Sequence, residues 1–120
     1  MGAHEATLAM LTQFVAERDW DRFHTPANLA KSICIEAAEL LEHYQWNDTG
    51  ADEDQVRDEL ADVLTYCFLL ASKMGWDVDE IIQAKLEKTR RKHPAVGSAT
   101  PASRRPRDVD AARAVERGGR

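Results

Sequence analysis

Residues 52–75, DEDQVRDELADVLTYCFLLASKMG, decide the fold. Asp52 is a good helix N-cap, and Gln55 stands three residues on, in capping-box register. Val56, Leu60, Val63, Leu64, Cys67, Leu70, Ala71 and Met74 then recur at helical spacing. No glycine or proline interrupts the run before Gly75. The stretch is too long for a strand and lacks a strand's alternation. Its second half, Tyr66 to Ala71, is apolar nearly all round, and a helix of that kind is covered on several sides.

Working outward, Asn47-Asp48-Thr49-Gly50 is a loop signal. Before it, Thr25-Pro26 opens another helix: threonine caps, and proline at the first position has no amide to leave unpaired. Leu29, Ile33, Ala37, Leu40, Leu41 and Tyr44 carry that helix to about Trp46. A first helix spans about Glu5 to Glu17, with Leu8, Leu11, Phe14 and Val15 on one stripe. On the other side, Gly75 stops the deciding helix. Asp77 and Glu80 repeat the capping-box pattern for a fourth, which runs to about Lys92 before Pro94. The expectation is an all-α four-helix bundle over residues 1–94, with no strands and no internal repeats. About ninety residues make a marginal monomer. With the all-round apolar stretch, this predicts completion of the core by homo-oligomerisation.

Past Pro94 the composition turns to Ala, Gly, Ser, Pro and Arg. Residues 95–120 read as a disordered, arginine-rich tail that cannot bury enough surface to offset its ordering. The chain has 120 residues and a formal net charge of −5. The tail holds six arginines against three acids, a net +3, so the remainder carries −8. An acidic body argues against binding a nucleic-acid polymer, which needs basic surface, and suits the collection of cations. No apolar run is long enough to span a membrane, and the N-terminus lacks a signal-peptide pattern. Gly2 alone makes no myristoylation site, because Thr7 misses the required position. The expected location is the cytoplasm. Cys34 and Cys67 fall in helix-period apolar runs and read as two reduced core thiols, with no Cys-x-x-Cys pair to suggest zinc or redox chemistry.

Two helices each carry a pair of acids three residues apart: Glu36 with Glu39, and Glu59 with Asp62. Such residues are neighbours on one face. Glu36 interrupts the row Leu29–Ile33–Leu40, and Glu59 interrupts Val56–Val63–Tyr66–Leu70. Both rows ought to face inward. At 4 Å and an effective dielectric near 20, each charged pair costs roughly 4 kcal/mol. Protons, basic partners or a divalent cation must relieve that repulsion. No Lys or Arg shares the face of Glu36 and Glu39. An all-oxygen donor set favours Mg²⁺, with Mn²⁺ as a substitute, and magnesium usually meets phosphates through a few carboxylates. Phosphate transfer or hydrolysis is the natural chemistry. The bland reading is four solvated acids; Glu42, turned away from Glu36, reads as a surface charge, and His43 is a weak signal.

A second set is aromatic and polar: Trp20, Phe23, His24 and Asn28 around one helix start, Trp46 at a helix end, and Tyr66. Tryptophans near polar loops can stack on a nucleobase, and they equally serve as core or dimer contacts. Lys85, Lys88, Arg90, Arg91 and Lys92 close the fourth helix. They complement its dipole, or bind phosphates.

With these residues assembled, the chain resembles a known family. Glu36-Ala37-Ala38-Glu39 followed by Glu59-Leu60-Ala61-Asp62 is similar to the E-x-x-E…E-x-x-D signature of the all-α nucleoside triphosphate pyrophosphatases, the MazG-like superfamily. Residues 14–29, FVAERDWDRFHTPANL, resemble its dCTP pyrophosphatase branch, as do 39–46, ELLEHYQW, and 58–66, DELADVLTY. The likeness covers roughly residues 8–94. It implies a helical bundle assembled as a homodimer or homotetramer. It also implies hydrolysis between the α and β phosphates to a nucleoside monophosphate and pyrophosphate, with a pyrimidine deoxynucleotide such as dCTP as substrate. Carried over by residue, Glu36, Glu39, Glu59 and Asp62 hold magnesium and do the catalytic work. Trp20, His24, Asn28, Trp46 and Tyr66 enclose base and sugar, and Lys85, Thr89 and Lys92 complete the substrate site. Near its end the chain departs from the pattern. Thr89 stands where the family has asparagine, and Lys92-His93-Pro94 replaces Lys-Tyr-Pro. Threonine has no amide, so a contact made by that asparagine is not reproduced.

Two other readings compete. One is a non-enzymatic helical interaction or regulatory module with a relic metal site. The other, a di-iron bundle, needs a Glu-x-x-His pattern, but Glu39 and His43 are four apart and Glu59 has no partner histidine.

Overall fold

The computed structural model describes residues 4–49 and 52–96. Four helices follow in order: α1 Glu5–Glu17, α2 Pro26–Glu42, α3 Glu53–Lys73 and α4 Val78–Lys92, with a short 3₁₀ turn at Asp21–Phe23. No strand occurs among the described residues. The chain divides into two units, Met1–Asp79 and Glu80–Arg120. The tail from Gly97, read as disordered, lies outside the described residues.

Local chemistry sets the helix ends. Thr25 is extended, and its hydroxyl accepts from the Asn28 amide at 3.1 Å, with Pro26 at the first helical position. Asp52 caps α3 by accepting from the amides of Asp54 and Gln55 at 2.9 and 3.4 Å. Two helices stop in the same way. At the end of α3, Gly75 is left-handed (φ 75°), and the Gly75 and Trp76 amides return to Ser72 and Ala71 carbonyls. At the end of α1, Asp19 takes the left-handed position (φ 53°), and the Asp19 and Trp20 amides return to Ala16 and Val15. Both are Schellman stops. In each, a tryptophan is the closing residue, and the residue whose carbonyl it reaches, Val15 or Ala71, is buried.

α2 ends at Glu42, four residues short of the expected Trp46. Beyond it the amides of His43 and Tyr44 turn to carbonyls three residues back, and the Asn47 side chain accepts from both the amide and hydroxyl of Thr49. Side-chain competition of this kind draws the backbone out of a helix. Trp46 is consequently off the helix and 89% exposed.

In the first unit α2 packs along α3, and α1 lies on α3 more lightly. Val15, Leu29 and Ala71 are its buried apolar side chains. The apolar half of α3, Tyr66 to Leu70, is half-buried, less covered than its all-round pattern asks. Leu41, Tyr44, Leu60 and Leu64 stay exposed. In the second unit, Ile81, Ile82 and Leu86 leave an open apolar row on α4. The cysteines correct an expectation. Both are free, but Cys34 is exposed and Cys67 half-buried. Cys34 shares with exposed Leu41 the side of α2 opposite Glu36, so its apolar neighbours in sequence are not a core.

Candidate functional site

The two acid pairs meet across the α2–α3 interface. Glu36, Glu59 and Asp62 each present a carboxylate oxygen within 4.8 Å of the others. Glu39 stands beside them, close enough for its carboxyl to act on both Glu36 and Glu59. Glu36, Glu39 and Glu59 are half-buried, and Asp62 is exposed. Burial of the Glu36 carboxyl pushes its pKa up to about 7, helped by the hydrogen bond to Glu39 and by the charges of Glu39, Asp62 and Glu59. Burial also raises Glu59, with the hydrogen bond to Glu39 and the charges of Glu39 and Asp62 adding, while His43 pulls it back. His43 Nε2 is 3.8 Å from Glu59 Oε1, an ion pair when the imidazole is protonated.

Whether a cation suits this cluster can be read from its unsatisfied atoms. Glu36 Oε2 and Glu59 Oε2 are both buried without a hydrogen-bond partner among the described residues. A buried carboxylate oxygen in that state is costly. Here two of them, one from each helix, belong to one all-oxygen group. The donors are hard, acidic and close together, which fits a divalent cation of the magnesium or manganese kind.

The neighbouring residues lie along one stripe of α3. Glu59, Asp62, Tyr66, Leu69 and Lys73 are spaced three, four, three and four apart, so they share a face. The Tyr66 hydroxyl is pushed above its usual pKa by burial, then by Glu36, Asp62 and Glu39. The Tyr66 ring meets His24 edge-on at 6.4 Å. Beyond that contact opens a cleft of about 430 Å³, floored by Val15, Leu29 and Leu69 and rimmed by Asp21, His24 and Lys73. Lys73 Nζ donates to Asp21 Oδ1 at 2.9 Å across the rim.

The other sequence-predicted residues divide. Trp20 is 44% exposed and packs edge-on against Phe14. Asn28 donates its side-chain amide to the Phe23 carbonyl at 2.9 Å, which fixes the entry into α2. Trp46 reaches into solvent from the loop. Lys85, Thr89 and Lys92 belong to the second unit, where the Thr89 hydroxyl donates to the Lys85 carbonyl one turn back at 3.0 Å. Sequence reasoning gave His43 only a weak signal beside the acids, although Glu36, Glu39 and His43 share a helical row. It missed Asp21 and Lys73 altogether.

Residues 31–101 match the MazG-like family. The chain is 36% identical over 92 residues to dCTP pyrophosphatase 1 of Homo sapiens, a match covering 69% of this chain and 54% of that protein. It is 33% identical over 91 residues to dCTP pyrophosphatase 1 of Bos taurus, covering 68% and 54%. The chain thus spans about half the length of the curated relatives it matches. Among solved structures, a pyrophosphatase from Archaeoglobus fulgidus superposes with a TM-score of 0.70 at 37% identity, over 79% of this chain and 95% of that one.

Proposed function

The chain belongs to the MazG-like family, and from that premise we propose that it hydrolyses nucleoside triphosphates between the α and β phosphates, releasing a nucleoside monophosphate and pyrophosphate. The observation that carries the reading is the pair of buried, partnerless oxygens of Glu36 and Glu59 within one four-acid cluster. The names of the relatives support the substrate class, and dCTP is the substrate proposed.

Glu36, Glu39, Glu59 and Asp62 would hold Mg²⁺, or Mn²⁺ in its place. When bound, the ion supplies Lewis acidity at the phosphoryl oxygens and charge for the departing pyrophosphate. One of the four acids would also take up the proton of the attacking water. Tyr66 and His24 stand between the acids and the cleft, so the nucleoside extends from the acid end toward the Leu29 and Leu69 floor. Trp20, Asn28 and Trp46 would border base and sugar, and the family resemblance assigns phosphate contacts to Lys85, Thr89 and Lys92. A second copy of the chain, in a homodimer or homotetramer, would cover the exposed rows of α2, α3 and α4. The cytoplasm, which holds the nucleotide pool, is the proposed location.

The test is a panel of ribo- and deoxynucleoside triphosphates incubated with the purified chain and magnesium. The expected products are monophosphate and pyrophosphate in equal amounts, fastest from dCTP. Release of orthophosphate with a diphosphate, or no product from any nucleotide, contradicts the reading.

A further inference from the structure

The connection between α1 and α2 is short, and its backbone hydrogen bonds are local. The Trp20 amide returns to Val15, Phe23 to Trp20, and His24 to Asp21. The Asn28 side chain holds the Phe23 carbonyl, again only five residues away. None of these bonds fixes where the segment lies along α3. The Lys73–Asp21 pair does: it joins residues 52 apart in sequence, at 2.9 Å, across the mouth of the cleft. Its strength is not the point, because exposed pairs contribute little to stability, and Asp21 is 71% exposed. Its place is. Asp21 opens the 3₁₀ turn that delivers His24 to Tyr66, and Lys73 is two helical turns beyond Tyr66 on the same face of α3. At about 1.5 Å per residue, Lys73 lies roughly 16 Å along the axis from Asp62, too far for direct work on a phosphate held by the acids.

We propose that the Asp21–Lys73 ion pair is a positioning tie: it clamps the α1–α2 connection against α3, sets His24 against Tyr66, and so holds the cleft in the shape that receives the nucleoside part of the substrate. This rests on the hydrolase reading above. Loss of the tie leaves the acid cluster untouched. Substrate binding weakens while the chemical step proceeds at its former rate once substrate is bound.

Steady-state hydrolysis of dCTP by the full chain tests this with four variants: Lys73→Met, Lys73→Arg, Asp21→Asn, and the swap Asp21→Lys with Lys73→Asp. For Lys73→Met and Asp21→Asn the expected result is KM raised about threefold with kcat unchanged, the pattern of lost uniform binding and the scale of an exposed ion pair. Lys73→Arg and the swap restore KM. Asp21→Asn is isosteric on the exposed partner, so it decides the question even if Lys73→Met folds poorly. An unchanged KM in Asp21→Asn overturns the proposal, and so does a fall in kcat at constant KM, which would make the pair part of the chemistry. An active wild type with either result leaves the hydrolase reading standing; a wild type that hydrolyses no nucleotide overturns both.

Discussion

The α2–α3 pair has two ends that obey opposite rules. At one end, Glu36, Glu39, Glu59 and Asp62 crowd together, with buried oxygens that lack partners and carboxyls pushed toward their protonated form. At the other, Leu29, the most deeply buried side chain described, lines the cleft with Leu69, and the Asp21–Lys73 pair spans its rim. The same two helices and the same face supply both. The difference teaches that the acid end is held in an unfavourable state by stability gained elsewhere, the usual arrangement at sites that bind cations and reacting phosphates.

The comparison breaks most severely at Leu29. Its side chain is 1% exposed, so Leu29→Ala should cost 2 to 5 kcal/mol, about the range for truncating a fully buried leucine. Chemical denaturation measures it. A cost below 1 kcal/mol, roughly that of a surface change, would show that the cleft floor does not anchor the pair.

The acid end should respond to pH with the opposite sign from an ordinary salt-bridged carboxylate. Glu36 has its folded pKa raised to about 7 from 4.5, and Glu59 is raised too. Between those values the folded chain keeps a proton that the unfolded chain has released. Stability therefore falls as pH rises from about 4.5 to about 7, and levels off above. Melting scans in EDTA across that window should show the fall, and magnesium should flatten it. A metal-free midpoint that rises through the window would mean the acids are not crowded.

The smallest expected effect is at a helix stop. Nothing lies within 4 Å of a Cβ built on Gly75, so Gly75→Ala meets no steric obstacle and costs only its left-handed conformation, about 1 kcal/mol. Asp19 adopts nearly the same conformation without being glycine, and Asp19→Gly should shift stability by a few tenths of a kcal/mol upward. A larger loss on Asp19→Gly, seen in the same melts, would assign the Asp19 side chain a structural role.

What was legible in the sequence follows from how local each signal is. Thr25-Pro26, Asp52 and Gly75 act within four residues, and the helices begin and end there as expected. The acid pairs were legible because spacing of three on two helical rows fixes a shared face. The end of α2 was not. Leu40, Leu41 and Tyr44 keep helical spacing up to Trp46, while the Asn47 side chain competes for the backbone. Cys34 failed for a related reason: an apolar run does not say which side of the helix is covered. Asp19 gave no glycine to mark a left-handed stop. The Asp21–Lys73 tie crosses 52 residues, beyond any spacing rule.

The central claim is that the acid cluster acts as a single cation site for hydrolysis. It is tested most directly by Glu39→Gln, which preserves size and removes the charge that touches both Glu36 and Glu59. Turnover and melting are measured together, with EDTA and with saturating magnesium. The account predicts that turnover nearly vanishes, the metal-free midpoint holds or rises, and the magnesium-induced gain disappears; in the wild type that gain is about 2.7 kcal/mol at a hundredfold the dissociation constant. Asp62→Asn should match it, and the double variant should be little worse than either. Near-wild-type hydrolysis by Glu39→Gln, with its magnesium response intact, contradicts the account.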